Sequence, residues 1–415
     1  MTGVFDGHCH VASSRFIPRA FVEDVASNVQ CRLGSMGVAP RPGRVADGLA
    51  AQHEDHLADG LVAEMDAAGV ERAVLLVPDF GLRMAGTAEP EEAARLHHEI
   101  RLRHPGRFWV YIGVDPRRGP AGVAAFEAMV DAYGLDGVKL YPPCGYSPSD
   151  PGLYPYYEIC AARALPVFVH TGPTARSLDY GPAHPMRIDR AARDFPTVPF
   201  VLGHGGLTHV ETCAYLAAYR PNVYVDTGGF ASGPSLPHWP GHLNELFRLG
   251  VNHKIIFGTD WPLGRLNGGL KGLISEVVDG PTVFAGVSRT DRNLLLRENL
   301  LRVDDIRQEL DKQLEHQLQR SGDLARLRPQ PQHHVQRVVL DGVIGMAAPF
   351  GGQLQHLLSI EPRQRPEQER SEPDGGAGPE AAAGHRQIGA TVRGGDRPRN
   401  DQRELQGHPE PGDQQ

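Results

Sequence analysis

Short apolar runs alternate with amphipathic stretches over roughly the first 300 residues of the chain. Eight of the runs predict β-strands, at Val4–His10, Ala73–Val77, Phe108–Val114, Gly137–Leu140, Val167–His170, Phe200–His204, Val223–Asp226 and Ile255–Asp260. Stretches with helical periodicity separate most of them, at Leu57–Ala68, Pro90–Arg103, Gly122–Tyr133 and Leu207–Tyr219. This alternation predicts an α/β fold, a (β/α)8 TIM barrel over residues 1–303 with a long first loop, Val11–Gln52.

The composition changes at about residue 304. Segment 304–415 is rich in Gln, Arg, Pro, Gly and Glu, and it contains one Phe, one Lys and no Tyr, Trp or Cys. Such a segment buries too little apolar surface to offset the entropy lost on ordering. We therefore expect a low-complexity, largely disordered C-terminal tail after the barrel.

The overall charge and composition narrow the classes of partner. The chain of 415 residues has a formal net charge of −8 and interspersed charges of both signs, so no basic stripe for nucleic acid is expected. No apolar run approaches the roughly 20 residues of a membrane helix. With no stretch of signal-peptide character at the start either, we expect a cytoplasmic protein. The five cysteines are widely spaced and form no CxxC pair, which indicates reduced thiols. A small-molecule substrate is the expected partner, and a homo-oligomer is left open.

Polar side chains recur where the predicted strands end. Six of them lie at or just before the carboxyl end of a strand: His8, His10, Lys139, His170, His204 and Asp260. In a TIM barrel this end of the strands carries the active site. The sequence therefore predicts that these six side chains surround the mouth of one barrel.

The first strand carries an HxH pattern. His8 and His10 are two residues apart, so both side chains are expected on one face of the strand, with Asp6 joining them and Cys9 facing the other way. Two such imidazoles can chelate one divalent ion, as Zn²⁺ favours. The pair alone is a weak signal, because short histidine spacings arise by chance. It gains weight because three later strands also end in a potential ligand.

Several segments match a known family. They are FDGHCH, MDAAGVERAVLLV, HPGRFWVYIGVDP, GVKLYP, LPVFVHTG, VLGHGG, FGTDWP and RENLLRV, spread over residues 1–303. In them the chain resembles the amidohydrolase superfamily, in the amidohydrolase-related (amidohydrolase 2) branch that includes aminocarboxymuconate-semialdehyde-type decarboxylases. The resemblance implies metal ligands at His8, His10, His170 and Asp260, and makes His204 either a second-metal ligand or a substrate-facing acid. One or two divalent ions are expected, most simply Zn²⁺. A carboxylate that touches both the metal and its bound water can take a proton and pass it to the leaving group, so Asp260 is the expected proton shuttle.

Lys139 bears on the choice of reaction. Binuclear amidohydrolases such as dihydroorotase carry a lysine at this strand tip that CO₂ converts to a bridging carbamate. If Lys139 is carbamylated, it completes a two-metal site with His204; if not, it is a cation that can hold a substrate carboxylate or carbonyl. The expected catalytic residues are thus Asp260, His204 and Lys139, and all three are also expected ligands.

Three functions follow from these residues. The related decarboxylases generally lack a lysine at this position, so we expect a metal-dependent hydrolase of an ester, lactone or amide of a small molecule that can carry a carboxylate. The alternative is a metal-dependent, non-oxidative decarboxylase of an aromatic or unsaturated acid. A binding protein with an idle site ranks last, because none of the expected ligands is missing.

Overall fold

The computed structural model describes residues 3–35, 37–41, 43–229, 239–262, 265, 269–278 and 287–304. The predicted tail, apart from Asp304, lies outside the described residues, so its disorder stays a prediction.

Among the described residues, eight parallel strands form a single sheet in which each strand pairs with the next one along the chain. They are β1 (Val4–Cys9), β2 (Val70–Val77), β3 (Phe108–Gly113), β4 (Gly137–Leu140), β5 (Val167–Val169), β6 (Phe200–Leu202), β7 (Val223–Asp226) and β8 (Ile255–Ile256). Backbone hydrogen bonds join β1 to the chain at and after β8: Gly7 N–H donates to Phe257 O at 2.8 Å, and Asp260 N–H donates to His8 O at 2.8 Å. The predicted TIM barrel is therefore confirmed, and all eight predicted strands are present.

Helices lie between the strands. They are α1 (Arg19–Ser35), α2 (Arg44–Ala50), α3 (Asp59–Ala68), α4 (Pro90–Arg103), α5 (Gly119–Tyr133), α6 (Tyr154–Ala162), α7 (Asp189–Asp194), α8 (Val210–Tyr219), α9 (Trp239–Arg248), α10 (Gly269–Val278) and α11 (Arg289–Asn293). A π-helical turn, Leu294–Glu298, continues α11, and the helix runs on to residue 304. Within the described part of the chain, no helix is long and apolar enough to cross a membrane.

The segment predicted as a long first loop is more ordered than expected. It contains α1 and α2, which pack together through Val22, Ala26, Ala46 and Leu49 in a small cluster of their own. Few other apolar side chains of these helices are buried, so the apolar periodicity that reveals a helix is weak in this segment.

Alternate strand residues divide the core into two layers. Leu75, Val110 and Val138 pack with the surrounding helices in the larger cluster. A second cluster contains Val74 and Phe168 with other strand residues, and it fills the barrel interior. This packed interior supports the polar residues at the carboxyl end of the strands.

Candidate metal centre

The six predicted site residues all lie at the carboxyl end of the barrel. His8 and Lys139 are in strands β1 and β4, and the other four follow a strand: His10 after β1, His170 after β5, His204 after β6 and Asp260 after β8. All except the partly exposed His10 are buried, with exposed fractions of at most 6%. The predicted convergence of these residues is therefore present in the fold.

Three ligand atoms lie at the spacing of a metal coordination shell. Asp260 Oδ1 is 3.3 Å from His8 Nε2 and 3.4 Å from His10 Nε2. A tetrahedral ion bound at about 2.0–2.1 Å holds neighbouring ligand atoms about 3.3–3.4 Å apart. His8 Nε2 is also buried without a hydrogen bond, which is costly for a polar atom that has no ligand. The three donors therefore fit a divalent cation.

The outer nitrogens of both histidines are held by oxygen acceptors. His8 Nδ1 donates to Asp226 Oδ2 at 2.7 Å, and His10 Nδ1 donates to Leu76 O at 2.7 Å. In each neutral ring the proton consequently lies on Nδ1, and Nε2 keeps the lone pair that a cation requires. Both rings are thus oriented as ligands by the protein itself.

Asp226 is a site residue that sequence reasoning missed. Besides the His8 ring, its carboxylate accepts the backbone N–H groups of His204 at 3.0 Å and Gly228 at 2.9 Å. The signal was present in the sequence, because Asp226 ends an apolar strand just as Asp260 follows one. Its neighbours leave little room: a Cβ atom at Gly258 would lie 2.1 Å from Asp226 Oδ1.

Asp6 does not join the two histidines, and that expectation was wrong. Between Asp6 and Cys9, β1 contains one residue more than the paired segment of β2. This bulge places the Asp6 carboxylate on the Cys9 side of the strand, where it accepts hydrogen bonds from Cys9 Sγ at 2.9 Å and from the Thr259 N–H at 3.0 Å. Asp6 therefore links β1 to the segment after β8 instead of facing the centre.

His204 and His170 form a short hydrogen-bonded chain. His204 Nδ1 donates to Gly228 O at 2.9 Å, so its Nε2 accepts the proton of His170 Nδ1 at 2.9 Å. The His170 ring is left with its lone pair on Nε2, as in the two histidines of β1. His204 and Asp260 both have left-handed backbones, with φ of 60° and 56°, a strained conformation for residues other than glycine.

A family model described as Amidohydrolase matches residues 5–302 of the chain. The chain belongs to the amidohydrolase family. The match spans the whole barrel, and the resemblance read from the sequence is thereby confirmed.

Solved structures similar to this amidohydrolase share its fold at low sequence identity. An uncharacterised TIM-barrel protein from Bordetella bronchiseptica has 21% identity and a TM-score of 0.54, with 73% of this chain and 99% of that chain covered. For 5-carboxyvanillate decarboxylase from Sphingomonas paucimobilis the identity is 15%, the TM-score 0.51 and the coverage 74% and 99%. A dihydroxybenzoic acid decarboxylase from Polaromonas sp. JS666, solved with bound manganese, has 15% identity, a TM-score of 0.50 and coverage of 72% and 97%. No curated protein matches the sequence.

Lys139 of this amidohydrolase is enclosed beneath the centre. Its side chain is 1% exposed, its Nζ makes no hydrogen bond, and Nζ lies 4.3 Å from the ring centroid of Phe168 in the barrel interior. Burial lowers the pKa of Lys139 to about 7, although the charges of Asp260 and Asp226 oppose the shift. Burial therefore favours the neutral form of the amine.

Burial and neighbouring charges give the expected ligands the protonation states that a cation requires. Burial alone would raise the pKa of Asp260, but the surrounding imidazoles, His8 foremost, bring that pKa below its ordinary value. Burial lowers the pKa values of His8 and His170 well below the usual value for histidine. The Asp260 carboxylate is therefore readily ionised and the His8 and His170 rings readily give up a proton, as the binding of a divalent metal requires.

Proposed function

We propose that this amidohydrolase is a metal-dependent hydrolase of an ester, lactone or amide in a small molecule. The proposal is carried by the placement of His8 Nε2, His10 Nε2 and Asp260 Oδ1 at 3.3 and 3.4 Å spacing, with the outer nitrogens of both rings already occupied. His170, with its free Nε2, is the fourth proposed ligand. A divalent ion held by these residues would lower the pKa of a water molecule and polarise the substrate carbonyl.

Asp260 is the proposed proton carrier. Its Oδ1 faces the two imidazoles of β1, and its Oδ2 lies 3.9 Å from His204 Nδ1. Because the low pKa keeps this carboxylate ionised, it can accept a proton from the attacking water and pass it to the leaving group.

His204 is proposed to hold His170 in place. Both of its ring nitrogens are engaged, one by Gly228 O and the other by His170 Nδ1. This arrangement supports a positioning role more strongly than a role as substrate-facing acid, since a proton donor needs a nitrogen directed at the substrate. As a second-metal ligand, His204 would have to give up its hydrogen bond to His170.

Lys139 determines the number of ions in this proposal. Its unpartnered, partly neutral amine can attack CO₂, forming a carbamate with release of one proton, and the carbamate oxygens can then serve as ligands. Elemental analysis of the purified chain with and without bicarbonate tests this step. Two ions per chain with bicarbonate and one without support the carbamate, whereas one ion in both conditions excludes it.

Decarboxylation is the second candidate, and it is favoured by the shortage of free donor atoms for a second ion. A second group of His8, His204 and Asp226 lies within metal-binding distance among the described residues. Most polar atoms of this second group already form hydrogen bonds, since His8 Nδ1 and the His204 N–H both donate to Asp226. A single ion is therefore well supported, and one ion suffices to orient an aromatic or unsaturated acid whose carbon–carbon bond releases CO₂.

One preparation assayed in two ways separates the candidates. Esters, lactones and amides are incubated in heavy-oxygen water, and aromatic and unsaturated acids are monitored for CO₂ release. The hydrolase proposal requires solvent oxygen in the product of the first group and no CO₂ from the second. Asp260→Asn, which keeps a residue type that tolerates the left-handed backbone, serves as the inactive control. If CO₂ is released and no product contains solvent oxygen, the protein is a decarboxylase and the hydrolase proposal is wrong.

The identity of the ion is a separate part of the proposal. Two or three imidazole nitrogens with one carboxylate suit Zn²⁺, while the solved Polaromonas decarboxylase contains manganese. We propose Zn²⁺ because imidazole predominates in the donor set. Elemental analysis of the protein as purified, with both metals in the growth medium, tests this choice.

A further inference from the structure

A cavity of about 690 Å³ lies at the connection that follows His170, one of the proposed ligands. It is lined by Gly172 and Pro173, which follow His170 by two and three residues. His209, from the segment after β6, lines it as well. The cavity is thus built from the two connections that also carry His170 and His204.

Three nitrogen-bearing side chains line this cavity. The rings of His184 and His209 have their centroids 4.4 Å apart, and Arg187 lines the same space. Among the described residues that line the cavity there is no Asp or Glu. The cavity therefore presents basic groups without an acidic counterpart in the part of its wall that is described.

Arg187 differs from the arginines around it. Arg190, Arg193 and Arg220 each form an ion pair with an aspartate. No described residue forms an ion pair with Arg187. His184 Nδ1 accepts the Met186 N–H at 3.2 Å, so the ring proton lies on Nε2, which is available as a donor. An unpaired guanidinium beside an imidazole donor is suited to an anion.

The same cavity also has an apolar side. Tyr180 and Met186 line it and are 48% and 49% exposed, unusually high for residues of this size. Exposed aromatic and thioether side chains next to a cationic group can hold the apolar body of a ligand while its anionic group is paired.

We propose that this cavity is a carboxylate-binding subsite that orients the substrate for the adjacent centre, an inference that rests on the proposed metal-dependent function. Arg187 pairs with the carboxylate and His184 Nε2 donates to it, while Tyr180 and Met186 cover a flat apolar body. A carboxylate is favoured over a phosphate because Arg187 supplies one permanent positive charge, which balances a monoanion and leaves a dianion half compensated.

Direct binding tests the subsite without any turnover. Fluorine NMR of the full chain as purified is recorded with 4-fluorobenzoate, with its neutral analogue 4-fluorobenzamide, and with inorganic phosphate as a competitor. We expect saturable binding of the benzoate, at least tenfold weaker binding of the benzamide, and little competition by phosphate. A tenfold change corresponds to the loss of one charge-assisted hydrogen bond.

Substitutions locate the bound carboxylate. Arg187→Gln is expected to weaken benzoate binding by roughly tenfold or more, and Arg187→Lys less, since the charge is kept but the planar fork is lost. Arg193→Gln, which removes an exposed arginine that pairs with Asp194, is the matched control and should bind as the unsubstituted chain does.

Three results overturn the subsite. Equal binding of benzoate and benzamide would show that the cavity is only an apolar pocket. Strong competition by phosphate would show that the cavity binds a different anion. Benzoate binding that survives Arg187→Gln and disappears with a chelator places the carboxylate on the metal instead. Benzoate binding that depends on Arg187 in a protein without activity in either assay leaves the subsite standing and rejects the proposed function alone.

Discussion

Asp226 Oδ2 accepts the Nδ1 proton of His8 at 2.7 Å, and both side chains are completely buried. The carboxylate fixes the ring so that Nε2 faces Asp260 and His10. Since a carboxylate behind an imidazole ligand both orients it and increases its basicity, Asp226 acts as a positioning residue for His8 in the proposed metal centre.

Replacing Asp226 tests that relationship. Asp226→Asn is expected to weaken metal binding by about 10–100-fold, because the charge behind His8 is lost and the amide must also replace the bonds to two backbone N–H groups. Competition with a chromophoric chelator measures the affinity. Asp189→Asn is the control, because Asp189 is a surface carboxylate that pairs with Arg220. An unchanged affinity in Asp226→Asn would show that the pair has no influence on the metal.

Gly258 is expected to tolerate no side chain. A Cβ atom there would lie 2.1 Å from Asp226 Oδ1 and 2.6 Å from His8 Cβ, whereas one at Gly241 would meet nothing within 4 Å. Gly258→Ala should destabilise the protein by about 1–3 kcal/mol and weaken metal binding, since the pair must shift. Gly241→Ala, in α9, should be neutral or slightly stabilising. Urea unfolding compares the two variants, and equal midpoints would contradict the packing described for the pair.

Lys139→Met should increase the stability of the protein and abolish any effect of bicarbonate on its metal content. The buried amine has no hydrogen-bond partner, and replacing a buried cationic group by an apolar side chain of similar length often stabilises a protein by about 1–4 kcal/mol. The same change removes any carbamate, so bicarbonate should no longer alter the metal content. Thermal unfolding and elemental analysis check the two effects. A variant that is less stable than the unsubstituted chain would indicate that Lys139 has a structural partner.

His97 makes the stability of the fold depend on pH. Its ring packs on Phe16, and its Nδ1 donates to Ala93 O at 2.8 Å. Burial lowers the pKa of His97 from 6.5 to about 4, so between these values the folded state binds fewer protons than the unfolded state. Stability is thus retained above pH 6.5 and is lost as the pH falls towards 4, by about 1–3 kcal/mol from this group.

The variant His97→Gln isolates this contribution. Glutamine can still donate to Ala93 O but does not titrate, so the loss of stability in acid should be smaller than in the unsubstituted chain. His98→Gln, one residue further along α4 and only partly buried, should behave as the unsubstituted chain does. Urea unfolding at several pH values gives the comparison, and parallel curves for all three proteins would exclude His97 as the cause.

The strands and their tips could be predicted because they depend on local composition. Buried parallel strands are continuous apolar runs, and β4 and β7 were predicted with the bounds that the structure has. Polar residues at the ends of such runs can only face the mouth or the surface. For this reason the convergence of the six residues followed from the order of the strands alone.

The details that the sequence did not predict depend on contacts between distant segments. The bulge in β1 shifts Asp6 to the Cys9 side, and strict alternation along a strand cannot anticipate one extra residue. The role of Asp226 could not be predicted, because it depends on a hydrogen bond to the His8 ring, 218 residues away in the sequence. The cavity at Arg187 lies between connections whose course no local pattern specifies.

The metal content of the full chain tests the central claim most directly. After exhaustive dialysis, elemental analysis of the unsubstituted protein should find about one divalent ion per chain, and Asp260→Asn and His10→Asn should each lose most of it, since one of the proposed ligands is replaced in each. Arg193→Gln should retain the full amount. An unsubstituted protein that keeps no divalent ion, or an Asp260→Asn variant that keeps as much as its parent, would contradict the assignment of these residues as a metal centre.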